Sequence, residues 1–168
     1  MPALTPASAR TAPDATDDGA LPRWRSGALD IYDMPGHAIR RLQQIAVALF
    51  ARHVDGVDIT PVQFAALLAL RQRKHLDQAT LSALIGYDRA TIGGVIDRLE
   101  AKRWVVREAG RTDRRTKLVS LTPAGAAALR HVARDVLAVQ DALMAPLAAA
   151  ERHTFARLCR KLLDAHLG

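Results

Sequence analysis

Hydrogen-bonding side chains are concentrated in residues 88–117, where Arg89, Thr91 and Arg98 precede a cluster of basic residues. A guanidinium group can donate two parallel hydrogen bonds to a guanine edge, and a threonine can contact a thymine methyl group. Residues 103–117 contain six basic and two acidic residues, a charge balance that suits phosphate oxygens. The pattern predicts double-stranded DNA as a partner. The predicted contact residues are Asp88, Arg89, Thr91, Gly94, Arg98, Arg111, Arg114 and Arg115.

Three residues of this region admit a second interpretation. Gly93 and Gly94 each lower the stability of a helix by roughly 1 kcal/mol relative to alanine, so we expect glycine to have a structural or functional role at these positions. Their small size would let the helix lie deep in a groove, and the alternative is close packing against a neighbouring helix. Asp113 would be repelled by phosphate, so we expect it to orient Arg98 or Arg115 instead of contacting DNA.

A helix-turn-helix would position these side chains. Asp77 is expected to cap a short helix that ends at Gly86, a residue type that tolerates a left-handed closing position. The inward residues of that helix are predicted to be Leu81, Leu84 and Ile85. Asp88 is expected to cap the next helix, whose apolar stripe turns the opposite face outward. The stripe residues are Ile92, Val95, Ile96 and Leu99. This second helix has the place of a recognition helix in the DNA major groove.

Further helices are predicted on both sides of this region. Pro35 suits the first turn of a helix, because the amide hydrogen that proline lacks would have no partner there. Thr60 with Pro61 and Thr122 with Pro123 are cap-and-proline pairs that open two more helices. Pro146 separates the last of these from a final helix. Residues 104–107 and 117–121 have strand-like composition and form a hairpin. The predicted fold class is mainly α with a small β-hairpin wing.

Composition limits the class of protein further. Lys and Arg outnumber Asp and Glu by 24 to 17, and the net charge of +7 favours an anionic partner. No apolar run reaches the roughly 18 residues of a membrane-spanning helix, and the N-terminus does not look like a secretory signal. We therefore expect a cytoplasmic protein without a membrane partner. A single cysteine, Cys159, excludes an internal disulfide and is expected to be a small buried residue. No metal site and no cofactor are expected.

The chain is expected to consist of an arm and one domain. Residues 1–27 are rich in Ala, Pro, Thr and Asp, and they bury too little apolar surface to offset the entropy of ordering. We expect this arm to be disordered. Residues 28–168 are expected to form a single domain, because one chain of this length fits one hydrophobic core.

Residues 88–125 read DRATIGGVIDRLEAKRWVVREAGRTDRRTKLVSLTPAG. The most specific positions are Asp113, Arg114, Arg115, Leu121, Thr122, Pro123 and Gly125. This run, and the chain from about residue 30 onward, resembles the MarR family of bacterial transcription regulators. The resemblance implies a homodimer with a winged lobe at about 58–121 and dimerisation helices at about 35–56 and 123–168. The terminal helices have more apolar surface than a small winged lobe needs, which agrees with a symmetric dimer.

A narrower resemblance involves Tyr32, Pro35, Gly36, His37, Ile39, Arg40, Arg41, Gln43 and Gln44. These residues are similar to those of repressors of aromatic-acid degradation, including the nicotinate-pathway branch. The resemblance implies a repressor that a small aromatic carboxylate or phenol releases from a pseudo-palindromic operator. Such a carboxylate needs a cation or paired donors beside an apolar slot. The predicted ligand-binding residues are Trp24, His37, Arg41, Gln44 and Phe64.

Each of these predictions has an ordinary alternative. His37 can be a polar residue of a first helical turn, and Arg41 can form an exposed ion pair. Phe64 lies on a core stripe, and Trp24 can be incidental or can tie the arm to the folded body. At the level of function, a DNA-binding or architectural protein without a ligand response would share every winged feature. No nucleophile with a base, carboxylate pair or phosphate-binding loop is recognisable, so we do not expect an enzyme.

Overall fold

A computed structural model describes residues 30–110 and 117–167. The helices are α1 (Pro35–His53), α2 (Pro61–Arg73), α3 (Gln78–Ile85), α4 (Arg89–Ala101), α5 (Pro123–Met144) and α6 (Ala149–Leu167). The strands are β1 (His75–Asp77), β2 (Val105–Ala109) and β3 (Lys117–Leu121). The predicted arm at residues 1–27, which includes Trp24, lies outside the described residues. The same is true of the wing-tip residues Arg111, Asp113, Arg114 and Arg115.

Side-chain caps begin α2 and α5 where the sequence predicts them. The Thr60 hydroxyl accepts from the Gln63 amide at 3.3 Å, and the Gln63 side chain accepts from the Thr60 amide at 3.1 Å. This reciprocal pair satisfies two amide groups that the first helical turn leaves without a backbone acceptor. At α5 the cap is one-sided: the Thr122 hydroxyl accepts from the Gly125 amide at 3.0 Å. Helix α5 ends at Met144, two residues before Pro146.

The sheet has three antiparallel strands in the order β1, β3, β2. Val119 at the centre of β3 faces Leu76 on one side and Arg107 on the other. The predicted hairpin of β2 and β3 is confirmed, and β1 is an addition that the sequence did not predict. The Nδ1 atom of His75 and the Ser120 hydroxyl lie 2.6 Å apart and link β1 to β3. The wing therefore has a base that is one strand wider than predicted.

One hydrophobic core lies within residues 42–168. It draws on α2, α3, α4, α5 and the sheet, and its fully buried members include Leu67, Leu81, Ile96, Val119 and Leu129. The four stripe residues of α4 are all buried, as predicted. Leu84 of α3 was predicted to point inward and is 46% exposed. The inward prediction for Leu84 is wrong, because α3 is only eight residues long and its last turn lies at the edge of the core.

The chain divides into two compact units, residues 1–41 and residues 42–168. In the described part of the first unit, the 3-10 turn Ile31–Asp33 follows Asp30, whose carboxylate accepts from the Tyr32 amide at 2.9 Å. The ring of Tyr32 meets the ring of His37 edge-on, with 6.2 Å between centroids. The second unit contains the helix-turn-helix, the wing and helices α5 and α6.

Candidate nucleic-acid interface

Helices α3 and α4 form a helix-turn-helix with a three-residue turn. Gly86 ends α3 in the left-handed conformation, with φ of 72°, which a residue with a Cβ rarely adopts. The amide of Tyr87 closes the end of α3 on the Ser82 carbonyl at 3.1 Å. Asp77 caps the start of α3 by accepting from the amide and the hydroxyl of Thr80, at 2.9 and 2.7 Å. Local sequence therefore fixes both ends of α3 and places α4 directly after the turn.

Asp88 and Thr91 shape the first turn of α4. The Asp88 carboxylate accepts from the Thr91 amide at 2.8 Å and from the Thr91 hydroxyl at 2.5 Å. These two bonds lower the pKa of Asp88 below its usual value, and the bond from the Thr91 hydroxyl has the larger effect. Both side chains are exposed. Their structural role is capping, and direct contact of either residue with DNA stays a prediction.

The outer face of α4 presents two arginines beside a glycine. Arg89 and Arg98 are exposed and lie nine residues apart, so they flank the face of α4 that is turned away from the buried stripe. A Cβ atom placed on Gly94 would meet only the Arg98 guanidinium, at 3.7 Å. This arrangement leaves a shallow surface with cations on either side of the backbone. The outward direction of this face is as predicted, and its contact with a DNA groove stays a prediction.

The two adjacent glycines have different surroundings. A Cβ atom on Gly93 would lie 3.1 Å from the side-chain nitrogen of Gln78, which donates to the Arg89 carbonyl at 2.8 Å. Gly93 therefore fits the packing alternative, since a larger residue would displace a side chain that joins α3 to α4. Gly94 has open space on its outer side and fits the groove alternative.

Arg107 on β2 connects the wing to α4. Its two terminal guanidinium nitrogens donate to the carboxylates of Asp97 and Glu100, and its amide donates to Glu100 at 3.3 Å. Burial acts to lower the pKa of Arg107, but the bonds from both carboxylates outweigh it and hold the pKa above its usual value. In the sequence Arg107 is recognisable only as a member of a basic cluster, and this link was not predicted. The sequence signal for this link was the pair Asp97 and Glu100, which lie three residues apart and therefore share one face of α4.

The base of the wing is held by Thr122 and Gly125. The Thr122 hydroxyl donates to the Arg103 carbonyl at 2.7 Å, and the Thr122 amide donates to the Trp104 carbonyl at 3.0 Å. Gly125 approaches this carbonyl so closely that a Cβ atom would lie 2.1 Å from its oxygen. The segment after α4, the start of β2 and the start of α5 therefore meet at one closely packed point.

Comparison with known proteins identifies the family. The sequence profile of the MarR family matches residues 57–116, which extend from the loop before α2 into the wing. NicR from Pseudomonas putida, an HTH-type transcriptional repressor, is 33% identical over 135 residues, covering 80% of this chain and 85% of NicR. The chain belongs to the MarR family. It is a transcription regulator and not an enzyme.

Solved structures of MarR-family proteins share the fold. BpsR from Bordetella bronchiseptica, whose DNA binding is regulated by 6-hydroxynicotinic acid, has a TM-score of 0.71 at 32% identity and covers 76% of this chain and 96% of its own. A mutant of Escherichia coli MarR complexed with operator DNA has a TM-score of 0.71 at 29% identity, covering 76% and 92%. The predicted winged helix-turn-helix is confirmed. NicR and BpsR also support the resemblance to the nicotinate-related branch.

The predicted ligand residues of this MarR-family chain lie in different surroundings. His37 is half-buried and contacts Tyr32, whereas Arg41 and Gln44 are exposed on α1. The ring of Phe64 is half-buried and lies 6.3 Å from the ring of Phe50, so it belongs to the margin of the core. Each of these ligand roles stays a prediction, as does that of Trp24.

Metal sites and membrane spans are both absent from residues 30–110 and 117–167. No group of three or more His, Cys, Asp or Glu side chains there is arranged to hold a metal ion. No helix within those residues is long and apolar enough to cross a bilayer. Cys159, predicted to be buried, is half-buried in the single chain.

Proposed function

We propose that this MarR-family regulator represses transcription by binding a pseudo-palindromic operator as a homodimer, and that a small aromatic acid releases it. The observation that carries the DNA-binding part is the exposed face of α4, where Arg89 and Arg98 flank the open surface of Gly94 beside the wing. Arginine in this setting can bind guanine with two hydrogen bonds. MarR complexed with operator DNA and the repressor NicR support the same function.

Exposed apolar residues support the homodimer. Within residues 149–166 of α6 no side chain is buried. Leu158, Leu162 and Leu163 are 45%, 54% and 57% exposed, and Leu137 of α5 is 66% exposed. Apolar patches of this kind mark interaction surfaces in soluble proteins. We assign dimerisation to residues 35–56 and 123–168 and DNA binding to residues 58–121, and a two-fold axis would then present two recognition helices to two half-sites.

The effector is proposed from chemistry and from a relative. BpsR responds to 6-hydroxynicotinic acid, which combines a carboxylate with an aromatic ring. His37, Arg41 and Gln44 are spaced four and three residues apart on α1, so they share one helical face. A cation and two hydrogen-bonding groups on one face suit a carboxylate. Phe64 and Trp24 are proposed to supply apolar surface for the ring.

Release requires different affinities for two states. The two recognition helices must be spaced to match half-sites about 34 Å apart. A ligand that binds better to the dimer with a mismatched spacing shifts the population away from the operator-binding state. Wild-type protein without ligand is therefore proposed to be the binding state.

The deciding experiment is a mobility shift with the DNA upstream of the gene, at fixed salt, with and without benzoate, salicylate and 6-hydroxynicotinate. Specific binding that one acid releases is expected. Specific binding that no acid affects would favour the alternative, a DNA-binding or architectural protein without a ligand response. Absence of specific binding would contradict the proposed function altogether.

Two sets of arginine variants separate base contacts from phosphate contacts. Arg89→Ala and Arg98→Ala are expected to relax sequence preference, because they remove base contacts. Replacing Arg114 and Arg115 together by alanine is expected to weaken binding to all duplexes and to reduce the salt slope by about one for each phosphate that is no longer neutralised. Unchanged binding of the wing variant would remove the predicted role of the wing tip.

Arg41 and its neighbour Arg40 provide a matched pair for the ligand site. Arg41→Met is expected to raise the concentration of acid needed for release about tenfold, the loss of one charge-assisted hydrogen bond. Its operator affinity without ligand should stay unchanged. Arg40→Met makes the same charge change on an adjacent face of α1 and should leave the response unaltered. An equal effect of both variants would contradict a specific role for Arg41.

A further inference from the structure

Asp97, Glu100 and Arg107, called here the Arg107 bracket, join the recognition helix to the wing. We propose that this bracket positions the wing for operator binding and that Arg107 is a positioning residue rather than a phosphate contact. The proposal rests on the DNA-binding function proposed above. The proposal explains why Asp97 and Glu100 are present on a surface that is otherwise suited to binding negatively charged DNA.

The geometry leaves Arg107 little capacity to bind anything else. One terminal nitrogen of its guanidinium donates to Asp97 and the other to Glu100, and only 22% of its side chain is exposed. Glu100 accepts from both the guanidinium and the backbone amide of Arg107. A planar guanidinium held at two nitrogens cannot rotate away without breaking both bonds. Arg107 therefore fixes the middle of β2 relative to α4.

The constraint extends through the sheet to the wing tip. Arg107 lies opposite Val119 of β3, and Val119 is buried in the core. Residues 111–116 follow β2 after only Gly110, so the position of β2 sets where the basic tip begins. The bracket thus places the recognition helix and the origin of the tip in one defined arrangement.

Neutralising the two carboxylates of the bracket should change operator affinity in opposite directions, depending on whether they act by charge or by holding Arg107. The side chains of Asp97 and Glu100 are 68% and 40% exposed. If these carboxylates acted on DNA only through their charge, neutralising them would strengthen binding, because fewer negative charges would oppose the phosphates. If they act by holding Arg107, neutralising them weakens operator binding in spite of the more favourable charge.

The experiment compares three full-length proteins on operator DNA and on a non-specific duplex at several salt concentrations. These are the double variant Asp97→Asn with Glu100→Gln, the single variant Arg107→Met, and Glu108→Gln as the control. Glu108 is the next residue of β2 and is exposed. We expect the first two to lose operator affinity about tenfold, an effect typical of residues in one salt-bridge network. We expect Arg107→Met to lose more affinity for the operator than for the non-specific duplex, because a displaced wing disturbs the fit to specific DNA.

Several results would overturn the proposal. Operator binding by the acid variant that equals or exceeds the wild type would show that the carboxylates act by charge alone. A lower salt slope in Arg107→Met together with wild-type amide exchange in β2 and β3 would make Arg107 a phosphate contact, because the wing would then be undisturbed. Equal losses on operator and non-specific DNA, accompanied by a lower thermal midpoint, would show a purely structural role, because positioning reduces the ratio of the two affinities.

A measurement without DNA separates this inference from the proposed function. Amide hydrogen exchange should become faster in β2 and β3 of Arg107→Met, while the buried residues of α2 keep wild-type protection. If the wild type binds no duplex, the proposed function fails and the exchange data still test the bracket. Unchanged exchange in both strands would show that Arg107 does not hold the wing.

Discussion

At the scale of single residues, Thr122 and Gly125 show how a few atoms join three segments. The Thr122 hydroxyl donates to the Arg103 carbonyl and accepts from the Gly125 amide. The Trp104 carbonyl accepts from the Thr122 amide, and the Cα of Gly125 occupies the space beside it. Glycine is required here by contact with backbone atoms that cannot move aside, rather than by a left-handed conformation.

Gly125→Ala is expected to lower the free energy of unfolding by about 3 kcal/mol, because overpacking against backbone forces the start of α5 or β2 to shift. Gly36→Ala is the control, since a Cβ atom at this glycine near the start of α1 would meet nothing within 4 Å. The control should change stability by less than about 1 kcal/mol. Urea unfolding at fixed protein concentration measures the free energy of unfolding of both variants. Equal values for Gly125→Ala and Gly36→Ala would contradict the close contact at Gly125.

The cap at Asp77 predicts an acid-dependent change in stability. Hydrogen bonds from the Thr80 amide and hydroxyl lower the pKa of Asp77 below its ordinary 3.8. Because the folded pKa is the lower one, this stabilisation is complete above 3.8 and is lost as pH falls through the folded pKa. Asp77→Asn keeps an acceptor oxygen but does not titrate, so its unfolding free energy should decline less steeply below that pH.

Asp141→Asn removes an exposed carboxylate from α5 and controls for net charge in the Asp77 experiment. Urea unfolding at a series of pH values between neutrality and the acid limb gives the slope for each protein. A slope for Asp77→Asn that matches the wild type would show that the cap does not contribute to acid sensitivity.

At the scale of elements, local signals predicted the starts of helices better than they predicted pairing. Thr60 and Thr122 predict the starts of α2 and α5, because a capping side chain and the amide that it accepts from lie within one helical turn. Strand β1 was missed because three residues are too few to establish an alternating pattern, and its partner β3 begins about forty residues later in the chain. Local sequence patterns therefore do not predict the contacts between distant segments of this fold.

The same limit applies to the candidate site. The apolar stripe of α4 predicted which face is outward, since helical periodicity is a local property. Arg107 was read as one more basic residue, because its pairing with Asp97 and Glu100 depends on how β2 returns past the helix. The sequence could predict the composition of the interface but not which cations are already engaged.

Gly94→Ala tests whether α4 approaches DNA closely. The added methyl group meets only the flexible Arg98 side chain, so stability should rise by about 1 kcal/mol through helix propensity. Operator affinity should fall at least about tenfold if the backbone lies against the groove. Gly93→Ala adds the same methyl group but presses on Gln78, so it should not share the gain in stability. Unchanged operator affinity in Gly94→Ala would contradict the groove alternative.

At the scale of the whole molecule, the distribution of apolar surface has a functional consequence. The core within residues 42–168 takes buried side chains from α2, α3 and α4, while α6 buries none of its residues 149–166 in the single chain. A helix with four large apolar residues exposed and so little burial is not stabilised by its own chain alone. Dimerisation would supply the missing contacts and would couple the stability of α6 to operator recognition.

Replacing Leu158 and Leu162 together by glutamate tests this coupling, because the two residues are one turn apart and share a face of α6. We expect a monomer by sedimentation and a thermal midpoint that no longer rises with protein concentration. Affinity for a full palindrome should drop to that for a single half-site, since the second recognition helix is no longer tethered. Replacing Arg157 and Arg160 by alanine changes the net charge equally and should preserve the dimer. If the leucine variant still sediments as a dimer and prefers the palindrome, the interface lies elsewhere and the exposed face of α6 needs another partner.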